Sequence, residues 1–146
     1  MVASVCVDAS LILRTLVPSE HSDTAARLVM GWRRDHVRLI GPSLLAFEVT
    51  SVLRRLVHLA ELTADEGDAA FAAFRRLDIR LSHRRDLFPL AWRLAQLHNR
   101  PRAYDTAYLA LAQLNGCAFW TADRQLFNAV SEQLPWVRWV GDALHS

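Results

Sequence analysis

Four carboxylates stand out because of what surrounds them. "VCVDAS", residues 5–10, is a short apolar, β-branched run that reads as a buried strand and stops on Asp8. "CAFWTAD" repeats the device with Asp123. Glu48 lies within "PSLLAFEVTSVLRRL", and Asp105 opens the apolar stretch "TAYLALAQL". Carboxylates held close together repel, and without a cation at least one of them has a raised pKa; a divalent ion removes that penalty. An all-oxygen donor set with few histidines nearby suits Mg²⁺ or Mn²⁺ better than Zn²⁺. The chemistry these residues offer is that of a hard-ion site.

Each acid also has a plainer explanation. Asp8 and Asp123 both precede helix-like segments, where aspartate is a favoured N-cap. On a helical wheel of residues 43–60, Leu45, Val49, Val52 and Leu56 centre the apolar arc with Glu48 on its flank, which suits a carboxylate at the sheet edge but equally an edge residue paired with Arg55. Asp105 shares a face with Leu109 and Ala112 in a helix apolar nearly all round, so it must cap that helix or have a charged partner.

The elements that would position these acids alternate. Strands are expected at residues 2–7, 37–41, 78–82, 117–122 and 136–140, and helices at 10–15, 22–34, 43–60, 63–77, 86–99, 104–115 and 123–130. Ser22 is an expected N-cap, Thr63 and Glu66 form a capping box, Pro89 falls in a first turn, and Asn115–Gly116 stop the helix they follow. Short apolar strands alternating with helices imply βαβ units: an α/β fold of three layers, α/β/α, around a central, mostly parallel sheet. In such sheets ligands bind beyond the carboxyl ends of the strands.

With 146 residues, 52% of them hydrophobic, one domain spanning residues 1–146 is expected. No stretch approaches the roughly 18 apolar residues of a membrane span, and a soluble, cytoplasmic protein is expected. Cys6 and Cys117 match no metal-ligand spacing and read as reduced, buried thiols. The 17 basic residues against 15 acidic ones are all arginine, which excludes phosphate sites built on a lysine such as the P-loop. Trp32, Trp92 and Trp120 occupy apolar positions and are expected in the core.

"VCVDAS", "PSLLAFEVTSVLRRL", "AYDTAYLALAQLNG" and "FWTADRQL" together resemble, in order and approximate spacing, the four acidic motifs of PIN domains, in the branch that holds the VapC toxins of bacterial toxin–antitoxin pairs. The resemblance implies a metal-dependent endoribonuclease acting on an RNA such as tRNA or rRNA, with Asp8, Glu48, Asp105 and Asp123 as catalytic, metal-binding acids. It gives Thr121 an accessory role and makes Ser10 a supporting group. It also implies Mg²⁺ or Mn²⁺ as cofactor, a VapB-type antitoxin as partner and a homodimer. An acidic site repels RNA, so cations must draw in the phosphates; Arg14, Arg100, Arg102 and Arg124 lie near the acids and are the candidates, though each also fits a solvated surface. The rival readings are a PIN-like RNA-binding or scaffold domain without activity and a structure-specific DNA nuclease.

Overall fold

The computed structural model describes residues 2–145. Its centre is a sheet of five strands, β1 (Ser4–Val7), β2 (Arg38–Pro42), β3 (Ile79–Ser82), β4 (Phe119–Thr121) and β5 (Val137–Trp139), in the order β3-β2-β1-β4-β5. Every pairing is parallel. Helices α1 (Ala9–Leu16), α2 (Ser22–Arg34), α3 (Leu44–His58), α4 (Ala64–Arg76), α5 (Leu87–Leu97), α6 (Tyr104–Asn115) and α7 (Arg124–Val130) cover it, giving the three-layer α/β/α architecture, and a 3₁₀ helix over Val140–His145 follows. Val5, Cys6, Val7 and Phe119 are buried, as parallel strands covered on both faces require.

The chain runs outward from β1 through β2 to β3, then crosses back to lay β4 on the other side of β1. The order therefore reverses between β1 and β4, and this switch point opens a crevice at the carboxyl edge of the sheet. Because all strands are parallel, every carboxyl end faces that same edge. Asp8 follows the end of β1, and Thr121 ends β4.

Local sequence sets the helix limits. The Thr63–Glu66 capping box is present in both directions, with Thr63 N–H to Glu66 Oε1 at 2.9 Å and Glu66 N–H to Thr63 Oγ1 at 3.1 Å. Gly116 ends α6 in the left-handed region at φ 60°, where a residue without a Cβ is unstrained. Helix α6 is the buried one: Thr106 and Tyr108 through Ala112 are all inaccessible.

Several expectations shift. Four of the five strands are shorter than their apolar runs, β4 keeping only Phe119–Thr121 of residues 117–122, and β2 is shifted by one residue. Ser22 is the first residue of α2 and not its cap; His21 holds that place, and the Ser22 hydroxyl accepts the N–H of Ser19 at 2.8 Å. Val52, placed at the centre of an apolar arc, is exposed. Trp92 is exposed as well, at 66%. Helix α5 is apolar almost all round, so its pattern does not mark one face; Leu87, Ala91 and Leu94 pack inward, and Trp92 is turned away from them by about 100° per residue. Both cysteines are free, Cys6 buried and Cys117 half-buried. Among the described residues no helix is long and apolar enough to cross a membrane.

Candidate metal centre

Asp8 occupies the N-cap position of α1, yet its side chain makes no capping hydrogen bond. Its Oδ2 instead accepts the Thr121 hydroxyl at 2.7 Å and the Ser10 hydroxyl at 2.8 Å. The sheet register explains the first contact: Cys6 pairs with Phe119 and Val7 with Trp120, so the next step sets Asp8 beside Thr121 across the switch point. The same two hydroxyls accept backbone N–H groups, Thr121 from Asp123 at 2.9 Å and Ser10 from Ala122 at 3.0 Å. Each hydroxyl is thus held in place by the chain and aims its one proton at Asp8.

Asp8 is buried, and that burial, opposed by the two hydroxyl donors and reinforced by the charges of Glu48 and Asp105, pushes its pKa up to about 6. Glu48 projects from α3 and is half-buried. Burial raises its pKa, the Tyr108 hydroxyl donating to Oε1 at 2.8 Å opposes this, and Asp105 adds repulsion. Three of the four acids therefore lie within electrostatic reach of one another at the carboxyl edge of the sheet. Asp105 comes from the first turn of α6, where Ala103 is the N-cap, so its alternative of a charged partner is the one realised: Arg100 Nη2 stands 3.2 Å from its Oδ2. The contact is single and the Arg100 Nε is buried without a partner, so the pair lacks the two-pronged geometry of a strong guanidinium–carboxylate bond.

Asp123 behaves differently. Its Oδ1 accepts the Leu126 N–H at 3.1 Å and caps α7, the plainer of the two explanations its sequence allowed. Asp8 does not take the cap role, and Glu48 pairs with Tyr108 in place of Arg55. Tyr108 is the residue that sequence reasoning missed. The available signal was its place three positions after Asp105, which puts the two on one helix face, in a segment otherwise of alanine and leucine. Its own hydroxyl proton is held tightly, because burial and then the charges of Asp8 and Glu48 raise its pKa.

Arg14 and Arg124 share the wall of a 550 Å³ cavity with Ser10 and Asp123, and the Arg124 guanidinium lies 5.0 Å from the centre of the Trp139 ring. Arg102 is exposed just ahead of α6.

Among the described residues no three His, Cys, Asp or Glu side chains stand close enough to hold an ion by themselves. The donor chemistry nevertheless fits a hard divalent cation: oxygen ligands, a buried carboxylate destabilised by like charge, and no imidazole or thiol in the network. Mg²⁺ is commonly held by one or two carboxylates with waters and substrate phosphates completing the shell, so a fully preformed cage is not required. Asp8, with Glu48 and Asp105, would hold it.

The PIN domain model matches residues 5–133. The chain belongs to the PIN domain family. Within it, the chain is 34% identical over 131 residues to the VapC ribonuclease Mb0985 of Mycobacterium bovis and equally to ribonuclease VapC9 of Mycobacterium tuberculosis, covering 90% of this chain and 94% of each relative. Among solved structures, the PIN fold here is similar to VapC20 of Mycobacterium tuberculosis, described as a sarcin-ricin loop cleaving toxin, with TM-score 0.64 at 20% identity over 86% of this chain and 95% of that one. It is also similar to PAE2754 of Pyrobaculum aerophilum, with TM-score 0.67 at 18% identity over 98% of this chain and 88% of that one. This PIN domain is a VapC-type toxin endoribonuclease.

The Thr121 contact yields a direct expectation. Thr121→Val keeps the side-chain shape but removes the proton given to Asp8 and the acceptor of the Asp123 N–H, so urea unfolding at neutral pH should show a loss of about 1–3 kcal/mol. Thr121→Ser should restore most of it, and an unchanged midpoint in the valine variant would show that the network contributes nothing.

Proposed function

We propose that this chain hydrolyses single-stranded stretches of RNA, such as those in tRNA or rRNA, with Mg²⁺ or Mn²⁺ as cofactor, and that a VapB-type antitoxin silences it in the cytoplasm. The observation that carries the reading is Asp8: a buried carboxylate at the switch point, fixed by two hydroxyls and left facing the charges of two further acids. Evolution toward stability alone would favour an apolar or neutral residue there.

A bound divalent ion would activate water for in-line attack on a phosphodiester and offset charge on the phosphate and the leaving oxygen. Asp8, Glu48 and Asp105 would hold that ion. Ser10 and Thr121 fix the orientation of the Asp8 carboxylate, leaving its Oδ1 free of them, and Tyr108 does the same for Glu48. Arg100 partly neutralises Asp105 through a single contact. Asp123 completes the acidic set from the α7 cap, holding the 121–123 turn in shape. Arg14 and Arg124, on the β4–β5 side, draw in the phosphates, with Arg102 and Arg100 on the other side. The homodimer is part of the same proposal, supported by the family resemblance.

The test is a digest of tRNA, unstructured RNA and flap DNA with Mg²⁺ or Mn²⁺ and with chelator. Divalent-dependent cleavage of RNA leaving 5′-phosphate ends is expected. Cleavage of the flap alone would make the protein a DNA nuclease, and binding without any cleavage would make it a scaffold.

A further inference from the structure

The carboxyl edge of the sheet continues past Asp8 in the direction opposite to Thr121. There the ends of β2 and β3, with α5 and the start of α6, enclose a cavity of 470 Å³. That size falls among small-ligand sites, which run from about 300 to 1,000 Å³. Leu44 and Leu87 form apolar parts of its wall, and Phe88, Trp92 and Tyr104 stand around it with exposures of 76%, 66% and 61%. Three exposed aromatics around one hollow are not accounted for by the core.

Register fixes where this hollow lies. Cys6 pairs with Ile40 in β2, and two residues further along each chain stand Asp8 and Pro42, the second of which lines the cavity. Tyr104, on the opposite wall, immediately precedes Asp105. The cavity thus lies beside the acidic site along the carboxyl edge of the sheet, close enough for a strand whose phosphate faces Asp8 to offer it a neighbouring base.

We propose that this cavity is a nucleobase subsite, in which a base next to the cleaved phosphodiester stacks on Trp92 and Phe88. The proposal rests on the RNA-cleaving reading above. Aromatic faces take up unstacked bases irrespective of sequence, which is how single-stranded RNA is commonly gripped. Charge favours RNA over a second copy of this chain as the occupant. The flanking segments 83–86 and 100–105 carry Arg84, Arg85, Arg100 and Arg102 against Asp86 and Asp105. That surplus attracts a polyanion, whereas in a two-fold interface the same patch would face itself and oppose like charges.

The probe is a short fluorescein-labelled oligoadenylate, compared with an abasic strand of the same sugar–phosphate length, binding to the full chain carrying Asp8→Asn. The oligoadenylate should bind about 5- to 150-fold more tightly than the abasic strand. Adding Trp92→Ala should erase most of that difference and leave abasic binding unchanged, and Trp92→Phe should restore it. Trp92 is exposed, so its removal leaves the core intact, and circular dichroism checks this. An undiminished preference for bases in Trp92→Ala overturns the subsite. So does a Trp92→Ala protein that changes its mass in light scattering while binding both strands as before, which would assign the patch to a second copy. In either case, RNA cleavage by the otherwise unaltered chain leaves the nuclease reading standing; a chain that neither binds nor cuts RNA overturns both.

Discussion

Asp8→Asn is expected to cut RNA at less than about a hundredth of the unaltered rate, beyond the 10–100-fold that supporting partners of a metal ligand usually cost, and yet to be the more stable protein in metal-free buffer at neutral pH. The two effects have one cause. Ionising Asp8 in the fold requires stripping water from a buried carboxylate and bringing it near Glu48 and Asp105, which is why its pKa stands at about 6 against an ordinary 3.8. At about 1.4 kcal/mol per pH unit, that displacement corresponds to a cost on the order of 3 kcal/mol once the group is charged. Asparagine keeps an oxygen for the Ser10 and Thr121 hydroxyls and carries no charge, but its amide protons need an acceptor. The net gain expected in urea unfolding is therefore at most about 2 kcal/mol. A variant that cleaves normally would remove Asp8 from the chemistry. One that is inactive and also destabilised would mean that the charge is already compensated in the metal-free fold.

Such a trade is legible in part from sequence. The strand that ends on Asp8, the capping box at Thr63 and Glu66 and the glycine stop of α6 are local signals, and each local preference agrees with the fold that forms. The convergence of Asp8, Glu48 and Asp105 is not local. It follows from the chain crossing back to place β4 beside β1, an order of strands that is a property of packing and that periodicity does not reveal; the grouping of these acids was legible only through the resemblance to PIN domains. Asp123 shows the opposite difficulty. Its spacing serves a cap and a ligand equally well, and the side chain caps α7. Trp92 was misplaced because α5 is apolar almost all round; only its packing against α6, where the Ala91 carbonyl accepts the Thr106 hydroxyl, decides which face turns inward. Tyr108 escaped notice because its meaning depends on Glu48, which is 60 positions away in sequence and 2.8 Å from its hydroxyl.

Removing the divalent ion should introduce a fall in the protein's stability as pH rises across the acid range. In chelator, Asp8 holds a proton in the folded state up to about pH 6 but only to 3.8 when unfolded. Between those values the native state binds more protons than the unfolded one, so this group's contribution falls as pH rises and levels off above about 6. Burial raises the Glu48 pKa and acts in the same direction. A cation binds only the ionised carboxylates and competes with their protons. With ion at a hundred times its dissociation constant the native pKa is drawn down by about two units to near the unfolded one, the native state's excess of protons disappears, and the fall in stability across this window is lost. At an ion concentration a hundred times its dissociation constant the stabilisation at neutral pH is about 2.7 kcal/mol. The measurement is a set of urea midpoints at several pH values, in Mg²⁺ or Mn²⁺ and in chelator. Exposed acids such as Glu66 and Asp86, whose pKa values are lowered by their own hydrogen-bond partners, contribute equally to both series and cancel in the difference. In Asp8→Asn the two series should converge. Parallel profiles in the unaltered protein would mean that the ion binds away from these acids, and a metal mechanism centred on Asp8 would then have no physical basis.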